Sequence, residues 1–192
     1  MTPSKNLPTL FPVFPNKKKR MEAEVKGNLN RFAYRYRLAK SFIGMNAPEV
    51  GKTLAGYDAL VKLFLAYTAY EEIVGPACAL RIPNVKPINQ NIRWSSLLAE
   101  RLRKSAKLVT YLRNYHNGTA LATRIEKAFN TAELWNDITC VAYGLRSAFA
   151  HGDLTPSAIG GTNKKGRALL TDLANELIDY SDELFTKCMQ AV

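Results

Sequence analysis

Arg146 and His151 stand five residues apart in the run Leu145-Arg-Ser-Ala-Phe-Ala-His-Gly-Asp153. On a straight helix five residues turn through about 500°, so the two side chains would lie roughly 140° apart. Gly152 offers a way round this separation. A glycine at that place ends a helix in the left-handed conformation, which leaves His151 at the last position, free to turn back toward a groove lined by Arg146. Ser147, four residues before His151, shares its face. The negative end of the helix dipole favours imidazolium there. An imidazole that can move a proton, beside a permanent guanidinium that can stabilise charge on phosphoryl oxygens, suits phosphodiester chemistry. The spacing equally fits a histidine that only caps helix carbonyls and an arginine on the surface. The other histidine, His116, reads as an exposed residue at a loop edge.

The elements that position this run are helical. Met21, Val25, Leu29, Phe32, Tyr36, Ala39 and Ile43 recur at spacings of three and four, which predicts a first helix over about 21–44. A second is expected over about 53–74. Its middle, Ala59 to Tyr70, is apolar nearly all round, so it is the central helix, closed by Gly75-Pro76. A third runs from about Trp94 to His116 on the stripe Trp94, Leu98, Leu102, Ser105, Val109 and Leu112, and Asn117-Gly118 breaks it. A shorter one follows over about 120–129. Asn130 and Glu133 then form the pattern of a capping box. The helix it opens buries Leu134, Ile138, Val141, Leu145 and Ala148 and stops near Ala150. Residues 152–166 read as an exposed loop, and a last helix over about 167–189 carries the stripe Leu170, Leu173, Leu177, Tyr180 and Leu184. With no strand pattern and no repeat, the expected fold is all-α, an antiparallel bundle of about five to six helices over residues 21–192. Residues 1–20, with Pro3, Pro8, Pro12, Pro15 and the run Lys17-Lys-Lys-Arg20, are expected to form a flexible basic tail.

Tyr143-Gly-Leu-Arg-Ser-Ala-Phe-Ala-His-Gly-Asp-Leu-Thr155 resembles the signature of HEPN domains: an arginine, a polar residue, and a histidine a few residues on, near the end of a late helix. The match covers some dozen residues, and the rest of the chain agrees in its order of helices. The resemblance implies a HEPN-like bundle acting as a metal-independent endoribonuclease, with Arg146 and His151 as the catalytic pair and Ser147 at the polar position. It implies RNA as substrate, because the ribose 2′-OH attacks its own phosphodiester and leaves a 2′,3′-cyclic phosphate. It further implies a homodimer that joins two Arg/His pairs, and a toxin or antiviral-defence role with an antitoxin or regulatory protein as partner. Members of the family also include non-catalytic modules that bind RNA or protein, which is the alternative. In some members an acidic residue orients the groove arginine, and here Glu71 or Glu72 could do so, or could simply be solvated.

The formal net charge is +11 and the pI about 9.7. Between Lys17 and Lys40 nine basic residues stand against Glu22 and Glu24, whereas Asp172, Glu176, Asp179, Asp182 and Glu183 make the last helix acidic. Clustered positive charge points to nucleic acid, and Arg31, Arg35, Arg37, Arg101 and Lys104 are the expected phosphate contacts. Tyr34, Tyr36, Tyr67, Tyr70, Tyr111 and Tyr115 could stack bases, although aromatic residues at helical spacing also build cores. Gly160-Gly-Thr-Asn-Lys-Lys165 does not match a phosphate-binding loop. No cofactor and no metal are expected, since Cys78, Cys140 and Cys188 are far apart and histidines are few. The cysteine usage favours a reducing, cytoplasmic setting. No secretory leader is expected, and the longest apolar stretch, Ala59 to Tyr70, is shorter than the roughly 20 residues of a membrane span.

Overall fold

The computed structural model describes residues 23–83, 85, 96–130 and 138–191. The expected tail of residues 1–20, along with Met21, Trp94, Glu133 and Leu134, lies outside the described residues. Among the described residues the chain is all-α and contains no strand. Its helices are α1 (Ala23–Ser41), α2 (Leu54–Ala79), α3 (Ser96–Lys104), α4 (Ala106–Tyr115), α5 (Ala120–Asn130), α6 (Ile138–Ala150) and α7 (Lys164–Gln190), with short 3-10 turns at Pro48–Thr53 and Pro156–Ile159. Among the described residues no helix is long and apolar enough to cross a membrane.

The centre of the bundle is α2, which packs against α1, α6 and α7. Its interior face, including Leu60, Leu63, Ala66, Tyr67 and Ile73, is buried. It meets Val25, Leu29, Phe32, Tyr36 and Ala39 of α1 and Leu170, Leu173, Leu177 and Leu184 of α7 in one core, so the apolar periodicities hold where they are longest. Burying each of these large side chains contributes roughly 1.5–3 kcal/mol. Phe32 stacks on Phe185 with ring centroids 5.4 Å apart, and Tyr36 one turn on meets Asp182, so α1 and α7 run antiparallel. Ile43, expected on the core stripe, lies beyond the end of α1 and is 89% exposed.

Three local expectations are corrected. The second helix does not stop at Gly75-Pro76 but runs on to Ala79. Burial of Val74, Pro76 and Ala77 there outweighs the hydrogen bond that proline removes. The helix then closes on Arg81 at φ 54°, with Ile82 N–H donating to the Ala77 carbonyl at 2.9 Å. The expected third helix is two, because Ser105 (φ −82°, ψ 81°) leaves helical geometry. The bend lets α3 pack on α7 while α4 packs on α6, where Leu112 lies against Gly144. Asn130 belongs to α5, and its expected capping-box partner Glu133 lies outside the described residues. Finally, residues 152–166 are not simply exposed: Leu154, Pro156 and Ile159 are buried. The reason is Gly56 on α2, where an added Cβ would stand 2.6 Å from the Pro156 Cβ and 2.9 Å from the Gly161 carbonyl oxygen. With no side chain at Gly56, the segment lies directly on the central helix.

Candidate active site at the end of α6

The sequence closes α6 with glycine, and the structure shows how. Gly152 has φ 79°, its N–H donates to the Phe149 carbonyl at 3.1 Å, and the Asp153 N–H donates to the Ala148 carbonyl at 3.0 Å. This pair of bonds is the Schellman motif. It leaves His151 as the half-in residue, its own N–H donating to the Ser147 carbonyl at 3.1 Å. The His151 side chain is exposed, and no partner holds the ring among the described residues.

The turn is latched from α4. Tyr111 donates its hydroxyl to the Asp153 carbonyl at 3.0 Å, and Tyr115 donates to the Asp153 carboxylate at 2.8 Å. Their rings stack at 5.7 Å and 10°. Burial, then the neighbouring Tyr115 and Asp153, push the Tyr111 hydroxyl up to about 12. The hydrogen bond to Asp153 pushes Tyr115 up as well. Both phenols therefore stay protonated near neutrality and act as donors. Neither their role here nor that of Asp153 was read from the sequence. Tyrosines at i and i+4 on one face are the signal that was there to be found.

Arg146 is held on the α2 side. Its Nη2 donates to Glu71 Oε2 at 3.1 Å, and its guanidinium carbon lies 5.9 Å from the centroid of the Phe64 ring. The Nε is buried without an acceptor among the described residues. A carboxylate on one side and an aromatic face on the other fix the plane of the guanidinium. Burial raises the Glu71 carboxyl above its ordinary value, while Arg146 and Arg35 pull it down and Glu72 pushes it up. Glu72 in turn takes Arg31 and Arg35 of α1, each at 3.0 Å, and Arg35 also donates to the Thr68 carbonyl at 3.3 Å. Two consecutive carboxylates on α2 thus organise three arginines from α1 and α6, a cluster with one positive charge left over.

Arg146 and His151 flank the last turn of one helix but make no hydrogen bond to each other. The Ser147 side chain likewise has no partner among the described residues. Of the expected phosphate contacts, Arg31 and Arg35 belong to the Glu72 cluster and Arg37 is on the same helix. Arg101 pairs with Asp172 at 2.5 Å, and Lys104 with Glu100 at 2.5 Å. These last two border a separate cleft. Tyr36, Tyr67 and Tyr70 are core residues, while Tyr34 is 73% exposed.

His116 is not the exposed residue expected. It is only 6% exposed, with Nε2 at 3.3 Å from the Gly144 carbonyl oxygen and its ring edge-on to Tyr115 at 4.7 Å. A Cβ at Gly144 would stand 3.0 Å from that Nε2, so the glycine makes room for the imidazole. Burial holds His116 below its ordinary value, against the pull of the Gly144 carbonyl. Among the described residues no group of three or more His, Cys, Asp or Glu side chains is arranged to hold a metal. None of the three cysteines forms a disulfide.

Compared with protein families, with curated proteins and with solved structures, the chain has no significant match.

Proposed function

We propose that the protein is an endoribonuclease of the HEPN type, with Arg146 and His151 as its catalytic pair. The observation that carries the reading is the end of α6. There an arginine oriented by Glu71 and Phe64 and a histidine with an exposed, unshared ring are set by one helix and its Schellman turn. In the reaction an imidazole takes the proton of a ribose 2′-OH, and the 2′-oxygen attacks the adjacent phosphorus. The bond from phosphorus to the 5′-oxygen breaks, and a second imidazole in its protonated form gives that oxygen a proton. The products are a 2′,3′-cyclic phosphate and a 5′-OH. Arg146 acts on the non-bridging oxygens, where charge builds up in the transition state. In a homodimer, His151 of the partner subunit serves as the acid, since His116 is buried. Ser147 is the polar neighbour of the pair. A toxin or defence role, with a regulatory partner, belongs to the same reading. The test is cleavage of RNA in the presence of chelator. Arg146→Ala and His151→Ala are each expected to lower turnover by roughly 100-fold or more, with Arg146→Lys failing to rescue. A His151→Ala protein that cleaves at the wild-type rate overturns the reading.

The second reading, a non-catalytic module that binds RNA or protein, is favoured by a different observation. Tyr34 and Leu38 on α1, and Ile43 beyond it, are 73%, 54% and 89% exposed, and apolar surface of this kind suits a protein partner. A folded protein that binds RNA and cleaves none would favour this reading.

A further inference from the structure

A cleft of about 830 Å³ lies between α3, α4 and the start of α7. Five cations border it, Arg101, Lys104, Lys107, Lys164 and Lys165, and none of its lining residues is acidic. Arg101 and Lys104 are matched by Asp172 and Glu100, but Lys107, Lys164 and Lys165 have no carboxylate partner among the described residues. Between the cations the wall is apolar, with Ile159 and Leu169. Like-charged side chains gathered in a concave, partly low-dielectric wall repel one another and focus a field that an anion relieves.

The shape of the depression selects the kind of anion. A second groove of about 480 Å³ shares Ala106 and Lys107 with the cleft and runs on past Thr110, Asn114 and Ser157 to Tyr111. Tyr111 is the residue whose hydroxyl holds the Asp153 carbonyl, two positions from His151. The two grooves adjoin at Ala106 and Lys107, and the second ends on Tyr111, whose hydroxyl reaches the turn that carries His151. A small polyphosphate would fill only the basic end, whereas a chain with repeated phosphates uses the whole length.

We propose that this depression is the track for the RNA backbone, with Lys107, Lys164 and Lys165 holding phosphates that flank the one cleaved at His151. The proposal rests on the ribonuclease reading for its choice of RNA. Electrostatic grooves of this kind bind single strands with strong dependence on salt.

Binding is measured with His151→Ala protein, which leaves RNA intact, using a fluorescent single strand of roughly 12 nucleotides, a length within the range that such grooves occupy. Reversing the three lysines together (Lys107→Glu, Lys164→Glu, Lys165→Glu) is expected to weaken binding at least 10-fold. It should also flatten the plot of log affinity against log salt by about 2, three phosphates at about 0.7 each. The triple glutamine variant shows the same change of slope if reversal harms folding. The same charge reversal at Lys52, Lys127 and Lys187, outside the cleft, isolates the effect of net charge. Unchanged affinity and slope in both cleft triples, or no RNA binding at all, overturns the proposal. It is also overturned if inorganic tripolyphosphate displaces the RNA at equal concentration while affinity ignores RNA length, which would mark a site for small polyphosphates. If wild type cleaves nothing but the cleft triples lose RNA, the ribonuclease reading fails and the track stands. If wild type cleaves and the triples bind normally, the track alone fails.

Discussion

Where α1 and α6 flank α2, three arginines share two carboxylates; in the cleft between α3, α4 and the start of α7, three lysines have none among the described residues. The contrast separates two uses of positive charge. In the first region Glu71 and Glu72 compensate most of the charge, so the arginines are pinned, and a pinned guanidinium can be aimed at charge that appears only in a transition state. In the second region no carboxylate among the described residues matches the lysines, and under the proposed track flexible ammonium groups suit a backbone that sits in many registers without specific geometry. Under the proposed function, positioning and attraction fall to different parts of the fold.

The comparison can be sharpened in order of effect. The largest change is expected from the pinned region, in the loss of turnover already given for Arg146→Ala and His151→Ala. Next comes Glu71→Gln, which keeps the shape and an acceptor oxygen but removes the charge that orients Arg146. We expect kcat to fall by roughly 10-fold, on the scale of losing a group that orients a catalytic one, with KM nearly unchanged. Reversal of the three cleft lysines should do the opposite, raising KM on long RNA more than it lowers kcat. Steady-state kinetics on one long substrate checks both. Equal effects on kcat and KM in the two variants would erase the distinction between the regions.

Two smaller effects concern the framework. A Cβ at Gly166 would overlap the Gly160 carbonyl oxygen, a backbone atom that cannot swing aside. Gly166→Ala should therefore cost about 1–3 kcal/mol, the scale of overpacking, and loosen the wall that carries Lys164 and Lys165. Denaturant unfolding measures it. The smallest effect is that of His116. Its folded value lies below the ordinary 6.5, so as pH falls below 6.5 the unfolded chain takes up a proton that the folded chain does not. The stability contributed by neutral His116 is fully present above that point and is lost as pH drops through the folded value. The thermal midpoint should fall between about pH 7.5 and about pH 5, and His116→Gln should flatten that fall. An unchanged slope in the variant would mean that the imidazole is not held neutral by the contact between α4 and α6.

Much of this was legible in the residues. The apolar spacing marks α1, the middle of α2 and α7 because burial on those helices is regular and long. Gly152 marks the end of α6, since only a left-handed residue closes that turn cheaply. Other features depend on contacts between distant segments, which local pattern does not carry. Proline at position 76 argues for a helix end, and only the burial around it explains why α2 continues. Glycines at 160 and 161 suggest an exposed loop, yet Gly56, a hundred residues away, draws that segment onto the core. His116 goes inside because Gly144 leaves it room, and an isolated glycine within the apolar pattern of α6 was the available sign. At the site, the spacing of Arg146 and His151 was plain. Glu71 was one of two adjacent acids until the fold set it 3.1 Å from Arg146.

The most direct test of the central claim is the chemistry of the cut. An RNA strand is incubated with the protein in chelator beside the same strand carrying a single 2′-deoxy sugar at the cleaved position, and the products are weighed by mass spectrometry. The account predicts fragments ending in 2′,3′-cyclic phosphate and 5′-OH from the first strand, and no cleavage at the substituted position in the second. Cleavage of the deoxy position, or 3′-OH and 5′-phosphate ends, would contradict it.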